Sequence, residues 1–196
     1  MLNNYEQVKN NFLAGRIDQC ACYFEQNNHL LEAGYCYIVE GEFKKAETIF
    51  LQIQEQNHRA HWGLFLLEIL TDNVKKYPTY FEIRNFLEID MNIFIKYYKG
   101  DYIEKIVRYS DYMQYFNPET FKYIGRVFWA NNLIPAAMFF LRKAKDKFYN
   151  DPELHYLLAY IYFNDNNIEE CKKSLNSCLD ILPEYAPALK LKEQLK

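Results

Sequence analysis

The 196-residue chain contains few of the residues that end regular structure, with only six glycines and six prolines. Together they fall well below the roughly 12% of average composition. A β-rich fold needs a tight turn about every ten residues, and such turns use Gly and Pro. A β-rich fold is therefore disfavoured. Because half of the residues are hydrophobic and a quarter are charged, the composition predicts a folded, mostly helical protein.

Long apolar runs and blocks of basic residues are also missing. The apolar run at 64–67 ends at Glu68, whereas a membrane-spanning helix needs about 20 apolar residues. The net charge is −3, with no block of five basic residues, so a nucleic-acid partner is not expected. The first seven residues lack the basic and apolar segments of a secretory signal. We therefore expect a cytoplasmic protein without a membrane span.

Motifs for metal binding and catalysis are absent as well. The five cysteines are odd in number and include no Cys-x2-Cys pair, which predicts reduced thiols rather than disulfides or a metal site. His58 and His61 are three residues apart, but no carboxylate or cysteine near them in the sequence completes a site. There is no phosphate-binding loop, nucleophile elbow or His-Glu-x-x-His motif. The sequence predicts no enzyme, no cofactor and no metal.

The chain does contain an internal repeat. A capping residue, a proline and an acidic residue occur together at 117–119 and again at 151–153, which suits two helix starts 34 residues apart. Downstream, small residues match small ones and large residues match large ones. The matched pairs are Ile124 with Leu158, Gly125 with Ala159, Phe128 with Tyr162, Ala137 with Cys171, Leu141 with Leu175, and Ala144 with Cys178.

Turn residues divide the rest of the chain in the same way. A helix often ends at one residue in the left-handed region, which favours Gly or Asn. Such residues predict six turns, at Gly15, Gly41, Asn73, Gly100, Asn132 and Asn166. Apolar residues between the turns recur at helical spacing. Each repeat is therefore a pair of antiparallel helices, and neighbouring pairs must stack to bury their apolar faces.

The stretch 74–98 fits this pattern least. Pro78 is tolerated only near the start of a helix. We expect a helix from about Pro78 to 87–90, followed by a short helix at about 92–99. One uninterrupted helix over 79–99 is the alternative, and the pattern leaves it open.

These residues resemble the tetratricopeptide repeat family, whose 34-residue helical hairpin has small and aromatic residues at fixed places and a closing proline. The resemblance implies an all-α fold, a right-handed α-solenoid of about six helix pairs plus a C-terminal capping helix. It implies a single domain over 1–196. The best-matching repeats are 27–58, 118–151 and 152–183, the degenerate ones are 1–26, 59–91 and 92–117, and the cap is 184–196.

In this family the first helix of each pair lines a concave surface, so the resemblance implies a binding groove. Three of its residues, Tyr156, Tyr160 and Phe163, follow the spacing of one helix face. Lys122 and Arg126 are its clustered cations and form an expected anchor for a partner carboxylate. The implied groove residues are Tyr35, Ile38, Leu67, Lys122, Arg126, Trp129, Tyr156, Tyr160 and Phe163.

Exposed aromatic residues of this kind are typical of a partner-binding surface. We therefore expect a non-catalytic adaptor or chaperone-like module that binds a peptide or a helical segment of another protein. The alternative is self-association, in which the exposed aromatic surface forms a homodimer or a larger homo-oligomer.

Overall fold

The computed structural model describes residues 4–17 and 19–195. Within these residues it contains thirteen α-helices and no strand, so the predicted all-α fold is confirmed. Most consecutive helices pair across short turns, as expected for antiparallel hairpins. Residues 1–3, 18 and 196, which belong to the predicted first repeat and cap, lie outside the described residues. In the described part of the chain, no helix has the length and apolarity needed to cross a membrane.

The chain divides into two compact units, Met1–Asn117 and Pro118–Lys196, which we call the N-terminal and C-terminal units. The boundary coincides with the start of the predicted repeat 118–151. The helices of the N-terminal unit are α1 (Asn4–Leu13), α2 (Cys20–Gln26), α3 (Leu30–Glu40), α4 (Phe43–Ile53), α5 (His58–Leu70), α6 (Tyr80–Lys96), α7 (Gly100–Arg108) and α8 (Ser110–Met113). Those of the C-terminal unit are α9 (Thr120–Ala130), α10 (Ile134–Lys147), α11 (Pro152–Asn164), α12 (Ile168–Ile181) and α13 (Ala186–Glu193).

Four of the six predicted turn residues lie in the left-handed region, with φ between 58° and 85°: Gly15, Gly41, Asn132 and Asn166. The other two predictions are wrong in position. Asp72 takes this conformation instead of Asn73, and Tyr98 takes it instead of Gly100. The reason is that the position of the turn residue depends on where the preceding helix ends. Helix α5 ends at Leu70 and α6 ends at Lys96, so the left-handed residue falls at Asp72 and at Tyr98. Gly100 is then the first residue of α7.

The expected break in the 74–98 stretch is also wrong, because α6 is one uninterrupted helix. Its start is fixed directly after Pro78, where Thr79 and Glu82 form a capping box. Between residues 80 and 96 there is no Gly or Pro to end it. One buried apolar stripe runs along the whole helix through Ile83, Leu87, Met91 and Phe94. Burial of this continuous stripe favours one helix over two.

The helix pairs approach each other closely at glycines. In the N-terminal unit, the fully buried Phe50 ring of α4 lies against Gly34 of α3 and Gly63 of α5. A Cβ atom on Gly63 would lie 2.7 Å from the Phe50 ring, and one on Gly34 would overlap the same ring. Both glycines therefore give this ring its space, which lets three helices pack around one side chain.

In the C-terminal unit, α13 covers the end of the last hairpin, as the predicted capping helix does. Its buried residues Ala188 and Leu191 complete a core with Ala159 of α11 and with Cys171 and Cys178 of α12. Both cysteines pack as small hydrophobic residues at the close helix contacts. Their burial also raises the pKa of each thiol above its usual value. None of the five cysteines forms a disulfide within the described residues.

Candidate functional site

The three expected groove residues of the N-terminal unit are buried, so the expectation that they face water is wrong. Tyr35 lies under the guanidinium of Arg59, 4.1 Å from the ring centre, and its hydroxyl donates to the Arg59 carbonyl at 3.0 Å. Ile38 has no exposed surface, and its carbonyl accepts a hydrogen bond from Tyr102 of α7. Leu67 is 6% exposed.

The physical reason is the path of α6, which contacts the earlier helices instead of pairing with α5 as a regular second helix. Its middle residue Asp90 forms a buried ion pair with Arg59 of α5. At its end, Lys96 donates to the carbonyl of Leu13 at 3.1 Å, and Tyr97 donates to the carbonyl of Phe12 at 2.7 Å. The protein's own helices therefore occupy this region, because α6 packs against α5 and Tyr102 of α7 packs against Ile38 of α3.

The Arg59–Asp90 pair is the centre of a buried polar cluster that the sequence analysis missed. The indole N–H of Trp62 donates to Asp90 Oδ2 at 2.6 Å, and Phe86 lies on the Arg59 guanidinium, 4.7 Å from its ring centre. Burial raises the pKa of the Asp90 carboxyl, and the charge and hydrogen bonds of Arg59 oppose that rise. One sequence feature could have predicted this cluster, namely the acidic Asp90 among the apolar residues of α6. A carboxylate that is buried with such residues needs a cation beside it.

His61 also has a partner that its sequence neighbourhood did not reveal. Its Nδ1 atom lies 2.7 Å from Oε1 of Glu82, the residue that completes the capping box of α6. The pair joins α5 to the start of α6 and therefore has a structural explanation. Among the described residues, no group of three or more His, Cys, Asp or Glu is arranged to hold a metal ion.

In the C-terminal unit, the expected cationic anchor has internal partners. Lys122 is buried, and its Nζ atom lies 2.6 Å from Glu119, 2.6 Å from Asp151 and 3.2 Å from Glu153. Hydrogen bonds to these carboxylates raise the pKa of Lys122 above its usual value despite its burial. The anchor assignment for Lys122 is therefore wrong. Arg126 is about one-third exposed and contacts Glu153 at 3.0 Å.

The expected aromatic residues of this unit do come together. Trp129 of α9 meets Tyr160 of α11 edge to face, with ring centres 5.8 Å apart. Tyr156 lies 6.1 Å from Tyr160 on one side and 5.6 Å from Tyr185 on the other. All four rings, and that of Phe163, are half-buried. Each ring thus packs on the core and still presents part of its surface.

Beside these rings, α11 and α13 enclose an open cavity of about 330 Å³. Tyr156 and Tyr160 form its aromatic wall, and Pro187 and Lys190 of α13 form the opposite side together with Gln194, which directly follows α13. We call the residues Arg126, Trp129, Tyr156, Tyr160, Lys190 and Gln194 the aromatic surface. The sequence analysis missed Lys190 and Gln194, because it assigned the segment 184–196 only to capping.

The polar groups of this cavity are available for binding. Neither hydroxyl group of Tyr156 and Tyr160 hydrogen-bonds to another described residue, and the Lys190 ammonium has no ion-pair partner there. Partial burial raises the pKa of Tyr156, so its hydroxyl stays protonated and able to donate at neutral pH. The arrangement combines aromatic contact area with hydrogen-bond donors and one cation, which is typical of a peptide-binding surface.

These features define a helical-repeat protein with a small, partly exposed aromatic surface. Residues 152–185, which include α11 and α12, match the tetratricopeptide repeat family. The resemblance noted from the sequence is therefore confirmed for this part of the chain. No curated protein matches the chain.

The solved structures that are similar to the chain include the following two. One is described as the crystal structure of the APC/C hetero-tetramer Cut9-Hcn1, with 15% identity, 92% of this chain covered and a TM-score of 0.47. This chain spans 39% of that protein's length. The other is YrrB, described as a TPR protein with an unusual peptide-binding site, with 14% identity and a TM-score of 0.41. That similarity covers 97% of this chain and 98% of YrrB.

Proposed function

We propose that this protein is a non-catalytic protein-interaction module whose aromatic surface binds a peptide segment of a partner protein. The observation that carries the proposal is the cavity between α11 and α13. In it, two half-buried tyrosines face a lysine and a glutamine, and none of the four is engaged by an ion pair or side-chain hydrogen bond among the described residues. Half-buried aromatic residues are the usual anchors of protein interfaces.

The chemistry of the surface indicates which peptide it holds. The rings of Trp129 and Tyr160 offer an apolar wall, to which an aliphatic or aromatic side chain binds. Lys190 offers a positive charge on the opposite side of the cavity, to which a carboxylate binds. We therefore propose a segment with one bulky apolar residue and a nearby acidic residue. Lys122 plays no direct part, because carboxylates of the protein itself hold it.

The experiment is a selection of peptides from a random phage-displayed library on the full chain, followed by affinity measurements on the selected peptides. Replacing Tyr160 by Ala should lower their affinity about tenfold or more, as expected for an anchor residue. Lys190→Glu should weaken acidic peptides more than neutral ones. Phe139→Ala is the matched control, because Phe139 is an exposed aromatic residue of α10 in the same unit, outside the aromatic surface.

The proposal is overturned when Phe139→Ala and Tyr160→Ala lower the affinity equally, or when selected peptides are insensitive to both. Circular dichroism of each variant shows that the helices are retained. Light scattering over a range of concentrations tests self-association in the same samples. A dimer that Tyr160→Ala dissociates would assign the aromatic surface to homodimer formation instead.

A further inference from the structure

Two helices of the C-terminal unit end beside each other. Helix α9 ends at Ala130 and α11 ends one repeat later at Asn164, and each is followed by a turn with an asparagine in the left-handed region. A cavity of about 260 Å³ lies at these two ends, and we call it the turn cavity. Its lining residues are Trp129, Asn132, Ile134, Ile161, Asn164 and Asp165.

The polar groups of the turn cavity are open to a ligand. Asn132, Asn164 and Asp165 are all exposed. Within the described residues, the Asp165 carboxylate forms no ion pair, and neither asparagine side chain forms a hydrogen bond. The Trp129 ring is half-buried and lines the same cavity. Three side chains that can accept hydrogen bonds therefore lie around one cavity with an aromatic ring.

The charges around the turn cavity favour a cation. Among the described residues that line it, Asp165 is the one with a charge, and none is Lys or Arg. The C-terminal ends of helices carry partial negative charge, and neither α9 nor α11 has a basic residue in its last turn to balance it. Asp165 adds a full negative charge at the end of α11, where the helix dipole disfavours an acid. Helix stability therefore does not explain this aspartate, whereas a cationic ligand would compensate its charge.

We propose that the turn cavity binds an arginine side chain of a partner protein. The planar guanidinium stacks on the Trp129 ring and donates hydrogen bonds to the Asp165 carboxylate. The side-chain oxygens of Asn132 and Asn164 accept its remaining N–H groups. The aliphatic part of the arginine packs on Ile134, which is half-buried. Lysine fits less well, because its donors are on one atom and do not form a plane that stacks on a ring.

The turn cavity adjoins the aromatic surface through Trp129. The ring of Trp129 lines the turn cavity, and its contact with Tyr160 connects it to the cavity beside α13. One peptide segment can therefore occupy both cavities. Its apolar residue then lies at the Trp129–Tyr160 pair and its arginine at Asp165, while its acidic residue faces α13. This extension to one segment rests on the proposed function, whereas arginine binding by the turn cavity does not.

The test is a titration of N-acetylarginine methylamide, which represents one arginine of a peptide, into the isotopically labelled full chain. In NMR spectra, the indole signal of Trp129 and the side-chain amide signals of Asn132 and Asn164 should shift in a saturable way. The indole signal of Trp62 is an internal control, because this buried group donates to Asp90. The corresponding citrulline derivative has a similar shape without the charge and should bind at least about tenfold more weakly.

Variants of the cavity test which groups hold the arginine. Asp165→Asn should lower the affinity for the arginine derivative about tenfold, and Trp129→Leu should lower it about threefold or more. Asp180→Asn is the matched control, because Asp180 is an exposed aspartate of α12 that does not line the turn cavity. It should leave the affinity unchanged. The proposal is overturned by cavity signals that do not shift, by equal binding of the citrulline derivative, or by equal effects of the two aspartate variants.

The same samples separate this site from the proposed function. Tyr160→Ala should retain binding of the arginine derivative while it weakens the peptides selected on the aromatic surface. Arginine binding together with selected peptides that do not depend on Tyr160 supports the turn cavity and refutes only the proposed function. Selected peptides that depend on Tyr160, without saturable binding of the arginine derivative, support the proposed function and refute the turn cavity.

Discussion

The guanidinium of Arg59 in α5 donates hydrogen bonds to both carboxylate oxygens of Asp90 in α6, and this buried ion pair holds α6 against the helices that precede it. The Asp90 side chain is 1% exposed, so its charge has almost no access to water. Arg59 and the indole N–H of Trp62 donate the hydrogen bonds that water would donate to an exposed carboxylate. The pair thus decides which surface of the preceding helices α6 covers.

Removing the carboxylate should destabilise the N-terminal unit strongly. Asp90→Ala leaves the largely buried Arg59 without its counter-charge, and we expect a loss of about 3–5 kcal/mol in the free energy of unfolding. Urea unfolding followed by tryptophan fluorescence measures the loss. Asp146→Ala, at an exposed aspartate of α10, is the control and should change little. The double variant Arg59→Met and Asp90→Leu should be less destabilised than Asp90→Ala. A larger loss in the double variant would contradict a buried ion pair.

Lys122 should behave in the same way in the C-terminal unit. Lys122→Met leaves the carboxylates of Glu119 and Asp151 close together without their cation, and we expect a loss of about 3 kcal/mol. Asp151 also caps α11 by accepting the Leu154 N–H at 3.1 Å, so the start of that helix should loosen. Hydrogen exchange of the α11 amides and urea unfolding measure the two effects. Lys172→Met, at an exposed lysine of α12, should leave both unchanged.

A Cβ atom at Gly125 should disrupt the α9–α10 contact. It would lie 2.7 Å from Leu141 Cγ and 3.2 Å from the Leu141 backbone nitrogen, so the helices themselves would have to move apart. We expect Gly125→Ala to cost about 1–3 kcal/mol, and Gly125→Leu to cost more. Gly100→Ala is the control, since nothing lies within 4 Å of its added Cβ. It should be neutral or slightly stabilising in thermal unfolding, because Ala favours helices over Gly. Equal effects at both glycines would refute this packing.

The stability of the C-terminal unit should depend on pH through His155. This residue is buried, and its Nε2 atom lies 2.8 Å from the Tyr149 carbonyl, so the neutral ring donates there. Burial is the main cause that lowers the pKa of His155 below 6.5, and the charge of Lys145 adds to it. The unfolded chain therefore binds a proton at a higher pH than the folded chain does. Stability should be complete above pH 6.5 and should fall as the pH drops below that value.

Urea midpoints measured above and below this pH test the dependence on His155. Carboxylates also titrate in mildly acidic solution, so the relevant quantity is the difference between the native protein and His155→Gln. The variant cannot gain a proton at this position, and its midpoint should fall less on acidification. An equal fall in both proteins would show that His155 does not contribute.

Where local pattern decides the structure, the sequence was sufficient. The hairpin of α11 and α12 follows from a proline start, an asparagine turn and small residues at the close contacts, all of which act within a few residues. The αL turns at Gly41 and Asn166 follow from the same kind of local preference. The closeness of Tyr156 and Tyr160 also follows from the sequence, because their spacing places them on one helix face whatever lies around them.

The path of α6 could not be read in the same way. The apolar stripe of α6 predicts that the helix is buried but does not predict which helix it packs against. The Arg59–Asp90 pair, which decides this, joins residues that are 31 positions apart. Lys122 shows the same limit, because the carboxylates of Asp151 and Glu153 approach it only when α9 and α11 pack side by side. The spacing of residues along the sequence does not show whether a cation is exposed and unpaired or buried and neutralised by carboxylates.

The sequence by itself determined the helices, most of their ends and the pairing of neighbours, because periodicity, capping and turn preference are short-range effects. Only the tertiary structure decided that α6 covers part of the predicted groove and that carboxylates of the protein itself hold Lys122. Each of these outcomes depends on long-range burial and charge pairing, in which distant residues compete for the same surface.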